Sequence, residues 1–133
     1  MDLGQTMIAA GIGFASKATS EEIVAAVDEC AASLQLHRQD ISVLATADFK
    51  QGSPALRDAS AELGISTACI DKKTLQAQEQ QLKTRSKRSI GRTGVSCLAE
   101  AAALAAAGET ARLLSARAIC GPVTCAFAEG GKR

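Results

Sequence analysis

The chain has 133 residues, 47% of them apolar, yet its only aromatics are three Phe. That length closes one domain around a single core, and the core must be built from Ile, Leu, Val and Ala. The net charge of +1 provides no global field toward nucleic acid or a membrane surface.

Residues 6–12, TMIAAGI, read as a short buried strand. Gly11 and Gly13 follow at its carboxyl end, where residues without Cβ allow a sharp turn and a close approach of ligand to backbone. The pattern TSEE then supplies a capping box from Thr19 to Glu22. Ile23, Val27, Cys30 and Leu34 form one apolar helical stripe, and the helix is expected to end near Leu36. ISVLATA (41–47) is a second strand. SPALRDASAELG (53–64) is a helix with Ser53 as its cap, Pro54 at its first position and Gly64 as its stop. ISTACI (65–70) is a third strand, and the Gln-rich stretch 71–82 is expected to be helical. This alternation predicts parallel pairing through crossover helices.

Residues 83–94, KTRSKRSIGRTG, hold five basic residues and no acid, and they read as a flexible basic loop. The first 82 residues carry a balance of −5 and the last 51 a balance of +6, so one face can be positive inside a neutral protein. VSCLAEAAALAAAG (95–108) is an alanine-rich helix stopped by Gly108. LLSARAI and VTCAFA flank CGP and read as a terminal β-hairpin. The expected fold is thus a single α/β domain over residues 1–133: a layered β-α-β-α-β unit with a mostly parallel sheet, then helices and a C-terminal hairpin that makes the sheet mixed.

The glycine turn is a poor dinucleotide fingerprint. Ser16 stands where the third glycine belongs, no Walker lysine follows, and Asp48 lies further along than the usual ribose-binding acid. Asp48 and Lys50 fall at the carboxyl end of the second strand, beside the Gly11–Gly13 turn, and ligands of open α/β sheets bind at that edge. They read either as a ligand pair or as a turn-forming Asp and a solvated Lys. Glu100 is the only charged residue between Arg92 and Glu109. A carboxylate in so apolar a helix needs a partner or a pocket wall; otherwise it marks the helix's exposed stripe. Asp48 and Glu100 are the candidate catalytic carboxylates. Arg85, Lys87 and Arg88 in the basic loop suit a small polyanion held by Arg forks. Without aromatic stacking residues they do not read as a nucleic-acid site. The five cysteines show no Cys-x-x-Cys spacing and are expected to be reduced, buried thiols of a cytoplasmic protein. No metal, cofactor, signal peptide or membrane span is expected.

Taken in order, GIG, TSEEI, ATADFK, GSPALRDASAELGI, GVSCLAEAAALAAAG and ARAICGPVTCAFA make the chain similar to a known family. It resembles the CobE and CbiG C-terminal domain family of cobalamin (vitamin B12) biosynthesis over residues 6 to 128, most of all its stand-alone CobE members. The resemblance implies Gly11, Gly13, Asp48, Lys50, Glu100 and Thr124 as site positions. Members often carry arginines after the glycine turn, where this chain has Ala15, Ser16 and Lys17. They usually carry a lysine where it has Arg117, which keeps the charge but not a neutral amine. The implied ligand is a tetrapyrrole, a precorrin or a hydrogenobyrinate-like intermediate, and other enzymes of the pathway are candidate partners. The expected role is an accessory or carrier protein for that intermediate. The alternative is a hydrolase that opens the precorrin ring lactone with release of a two-carbon fragment.

Overall fold

The computed structural model of the chain describes residues 6–15, 17–50, 52–83, 95–108 and 111–131. Strand β1 (Thr6–Phe14) leads to helix α1 (Ser20–Ser33), strand β2 (Val43–Ala47), helix α2 (Pro54–Leu63) and strand β3 (Thr67–Ile70). A short helix α3 (Lys72–Gln76) follows, then helix α4 (Leu98–Ala107) and strands β4 (Arg112–Leu113), β5 (Ala118–Cys120) and β6 (Val123–Gly131). The sheet runs β3-β2-β1-β6-β4, with β5 also on β6. β1, β2 and β3 are mutually parallel, and β6 closes antiparallel against the whole of β1. The expected mixed α/β sheet is therefore present.

Local chemistry sets the helix ends. The Glu22 N–H donates to Thr19 Oγ1 at 3.1 Å while the Thr19 N–H donates to Glu22 Oε1 at 2.9 Å, the reciprocal capping box of α1. In α2 the Leu56 N–H donates to Ser53 Oγ at 3.2 Å. That helix stops at Gly64, whose φ of 71° favours glycine. Helices α1 and α2 cover one face of the sheet with Ile23, Val27, Leu56 and Leu63 against Ile12, Leu44 and Phe127. Helix α4 covers the other face, on Ala9, Val43, Ala45, Ala126 and Ala128.

Apart from Glu100, helix α4 is apolar all round, and it is buried on nearly every side, as such a helix must be. At two positions, Gly11 and Gly130, it also rests directly on strand backbone. A Cβ at Gly11 would stand 1.9 Å from the Ala99 carbonyl oxygen and 2.6 Å from the Ala103 nitrogen. At Gly130 it would stand 2.0 Å from the Ala107 carbonyl oxygen. An alanine helix seated on two strand glycines lets the layers approach closely, which is how this chain fills its core almost without aromatics.

α1 ends at Ser33 rather than near Leu36. β2 starts at Val43 and β3 at Thr67, each two residues later than read, and α4 covers Leu98–Ala107 rather than 95–108. Three further differences from the sequence reading have a visible cause. β1 continues to Phe14 through both glycines, because β6 pairs with it through Phe14↔Val123. The Gln-rich stretch is helical only over Lys72–Gln76, with a separate 3-10 turn at Glu79–Gln81, since Leu75 and Leu82 are the side chains it buries. The first arm of the hairpin is split. Leu113 pairs with Ala128 and Ala118 with Cys125, so the edge spends two more residues than β6 does over that interval, as a bulged strand does. The hairpin turn falls within CGP as read, but Cys120 belongs to β5 and pairs with Val123, which leaves a two-residue turn at Gly121-Pro122 with Gly121 at the positive φ, 62°, that such hairpins favour.

Candidate functional site

The carboxyl ends of β1, β2 and β3 share one edge of the sheet. The segments leaving them carry Lys17, which is exposed, and Asp48 and Lys50, which sit in a 3-10 turn directly after β2. The Lys50 ammonium lies 4.7 Å from the centre of the Phe14 ring. This cation–π contact contributes about 0.5–1 kcal/mol at a partly open site, and it holds a positive charge where β1 and β2 end. Asp48 is exposed. Burial first, then the Asp48 charge, pushes the Cys69 thiol up.

On the α4 face, Thr124 and Gly13 lie opposite each other in the β1–β6 ladder. The Thr124 hydroxyl donates to the Gly13 carbonyl at 3.3 Å. A Cβ at Gly13 would stand 2.8 Å from Thr124 Oγ1 and 3.6 Å from Leu98 Cδ2, so the first turn of α4 ends over this pair. The expectation that Gly11 and Gly13 form an open, ligand-lining turn is corrected here. Both are strand residues and both are buried. Backbone of α4 fills the approach to Gly11, and Leu98 with Thr124 fills that to Gly13.

Glu100 is fully buried. It faces neither solvent nor an exposed stripe. Its Oε1 accepts the Lys83 N–H at 2.7 Å and its Oε2 accepts the Arg117 N–H at 2.8 Å. A second carboxylate does the complementary job: Glu79 accepts the Ser96 N–H at 3.1 Å and is also bonded by the Ser96 hydroxyl. The two braces cross, each reaching from one side of residues 84–94 to the other. Charge-assisted bonds of this kind contribute about 1.5–3 kcal/mol each. The lone Glu100 was visible in the sequence, but Glu79 and Ser96 were not, since a contact across 17 residues leaves no local periodic signal.

Arg117 is half-buried, and its charge acts on the Cys97 thiol at the start of α4. Burial pushes that thiol up, and the Glu100 N–H and Arg117 partly offset the effect. Cys30, Cys97 and Cys125 are buried free thiols, whereas Cys69 and Cys120 are half-buried, which corrects the expectation of five buried ones. Among the described residues no group of His, Cys, Asp and Glu could hold a metal ion, and no helix is long and apolar enough to cross a membrane. The structure thus pairs Gly13 with Thr124, Lys50 with Phe14, and Glu100 with the Arg117 backbone. Arg85, Lys87 and Arg88 of the basic loop lie outside the described residues.

Comparison with known proteins gives one consistent picture. The family model described as "Cobalamin synthesis G C-terminus" matches residues 8–128. The "Protein CobE" of Sinorhizobium sp is 28% identical over 118 residues, covering 89% of this chain and 77% of that protein. The crystal structure of CobE, a protein from the cobalamin (vitamin B12) biosynthetic pathway, superposes with a TM-score of 0.91 at 28% identity, covering 100% of this chain and 98% of that one. The cobalamin biosynthesis protein chiG from Agrobacterium tumefaciens is 35% identical, with a TM-score of 0.73 over 92% of this chain and 97% of that one.

Proposed function

The chain belongs to the CbiG C-terminal family of cobalamin synthesis proteins, a protein of the cobalamin biosynthesis pathway, and from that premise we propose that it binds a precorrin or corrinoid intermediate as an accessory or carrier protein. The observation that carries this reading is the Lys50 ammonium held over Phe14 at the carboxyl edge of the sheet. It is one of three cations from separate segments, with Lys17 at the end of β1 and Arg117 by the start of α4. A tetrapyrrole intermediate presents carboxylates around a flat apolar ring. Cations on separate segments meet carboxylates on different sides of such a periphery, and one already held, as Lys50 is over Phe14, loses less side-chain freedom on binding. Arg85, Lys87 and Arg88 add positive charge to the basic segment 83–133, which also carries Arg117.

The state of Glu100 counts against it as the base of lactone hydrolysis and leaves the exposed Asp48 as the carboxylate of that second reading. A general base must reach the proton it removes, whereas the Glu100 oxygens are occupied by the Lys83 and Arg117 amides in the interior.

The test is an absorbance titration with hydrogenobyrinic acid followed by gel filtration. The chain has no Trp and no Tyr, so the bound corrinoid's spectrum is read without interference. Co-elution with a shifted spectrum is expected, weakened by Lys50→Gln and by neutralising Arg85, Lys87 and Arg88 together. Absence of any retention or spectral change would remove the proposal, and turnover of a lactone intermediate would replace it with the hydrolase reading.

A further inference from the structure

Among the described residues, Ile119 is the one large apolar side chain left exposed, at 65%. It stands in the middle of β5, a three-residue strand at the sheet's edge. Exposed edge strands are commonly protected by charge, Pro or bulges, because a bare apolar edge invites association. One exposed Ile is ordinary by itself, so a reason for this one must come from what stands beside it.

Its surroundings supply one. Ile119 lies directly opposite Thr124, which lies directly opposite Gly13. Residues opposite one another in a ladder share a face of the sheet, so Ile119, Thr124 and Gly13 form one row on the α4 face. Helix α4 covers the Gly13 end of that row with Leu98. At the β5 end the row emerges from cover at Ile119. Two residues earlier on the same edge is Arg117, whose charge acts on Cys97 at the start of α4. The backbone of Arg117 is fixed by its N–H bond to Glu100 Oε2 at 2.8 Å. A cation and an open apolar side chain are thus carried two residues apart on an edge that is tied to the buried helix.

We infer that this Arg117–Ile119 ledge is a contact surface for the tetrapyrrole, with Ile119 against the apolar ring and the Arg117 guanidinium paired to a peripheral carboxylate. The inference rests on the corrinoid-binding reading and adds to it a residue, Ile119, that the glycine turn and the carboxylates gave no reason to select. Charge complementarity chooses this occupant: a purely apolar partner would leave Arg117 unused, and a polyanion without a ring would leave Ile119 unused. A ring edged with carboxylates uses both.

Hydrogenobyrinic acid binding is measured by absorbance titration on the wild type and on Ile119→Val, Ile119→Glu and Arg117→Gln. Ile119→Val keeps the apolar contact and should bind within about threefold of wild type. Ile119→Glu removes it and sets a carboxylate against the ligand's own, so about a tenfold or greater loss is expected. Arg117→Gln keeps the backbone N–H that Glu100 holds and should weaken the carboxylate ligand more than a corrinoid whose side chains are all amides. Both Ile119 variants should keep the wild-type melting temperature, because the side chain is exposed. If the wild type binds and Ile119→Glu binds equally well, the ledge is refuted while the binding reading stands. If the wild type does not bind, both fall. If sedimentation shows a wild-type dimer that Ile119→Glu dissociates without changing ligand affinity, the ledge is a self-association surface and the inference is wrong.

Discussion

Replacing Gly11 by Ala separates a packing glycine from a ligand-facing one. The added Cβ would stand 1.9 Å from the Ala99 oxygen and 2.6 Å from the Ala103 nitrogen. Ordinary carbon–oxygen contacts are longer than 3 Å, so α4 and β1 must separate by about 1 Å or more. Both obstacles are backbone atoms, and no side-chain rotation relieves them. α4 is also held against retreat, because Glu100 ties it to Lys83 and Arg117. Overpacking costs about 1–3 kcal/mol where side chains can adjust; here the upper end of that range, about 3 kcal/mol, is the expectation. For a domain of this size that lowers the thermal midpoint by roughly 10 °C. Guanidinium unfolding followed by far-UV circular dichroism measures it directly. Gly52→Ala is the control, since a Cβ there meets nothing within 4 Å, and it should stay within about 0.5 kcal/mol of wild type. A Gly11→Ala protein with an unchanged midpoint that loses corrinoid binding would refute the packing argument and restore a ligand-lining glycine.

Glu100→Gln keeps the shape but replaces one acceptor oxygen by a donor, so either the Lys83 or the Arg117 N–H loses its partner; a loss of about 1–3 kcal/mol is expected in denaturant unfolding, and Glu100→Ala should cost more. Asp48→Asn removes a charge that raises the Cys69 thiol, so Cys69 should alkylate faster at fixed pH, with the site read by mass mapping; an unchanged or slower rate would contradict the geometry of that corner. The Cys125 thiol is pushed well above 9.0, first by its hydrogen bond with Cys30 and then by burial. A raised thiol favours the protonated native state, so its contribution is fully present below the unfolded value and is lost as pH rises past 9.0. The same contact lowers the Cys30 thiol, which contributes in the opposite sense, so Cys125→Ala and Cys30→Ala should move the alkaline limb of the urea midpoints in opposite directions.

What could be read from the sequence was local. Thr19 with Glu22, Ser53 with Pro54, and Gly64 each announce a helix end within a few residues, and each is found in place. The order of strands and helices, and so the parallel unit, followed from them. The glycines were misread for a physical reason. A glycine that opens a turn and a glycine that admits a helix are the same residue in sequence, and α4, which distinguishes them, begins some 85 residues after Gly13. The split between β4 and β5 was hidden for a similar reason: it accompanies the capture of the Arg117 N–H by Glu100, which no periodicity encodes. Of the candidate site, Glu100 was legible as an anomaly of composition, but its partners were not.

The way α4 is seated also limits where a large ligand could reach this face. At Gly130 and Gly11 the helix backbone meets the strand backbone directly, and between them only the small side chains of Ala9, Ala126 and Ala128 intervene. A macrocycle could enter there only by lifting the whole helix, against the Glu100 bonds that anchor it. The carboxyl edge differs: α4 begins at Leu98, level with Gly13, and the strands' following segments carry Lys17, Asp48 and Lys50. On the other side of the helix start lie Arg117 and the open Ile119. The proposed ligand therefore belongs around the beginning of α4 and not beneath the helix. The glycines contribute by fixing where that beginning lies, so Gly11→Ala should weaken corrinoid binding only in proportion to its effect on the fold, whereas Lys50→Gln and Ile119→Glu should weaken binding with the fold intact.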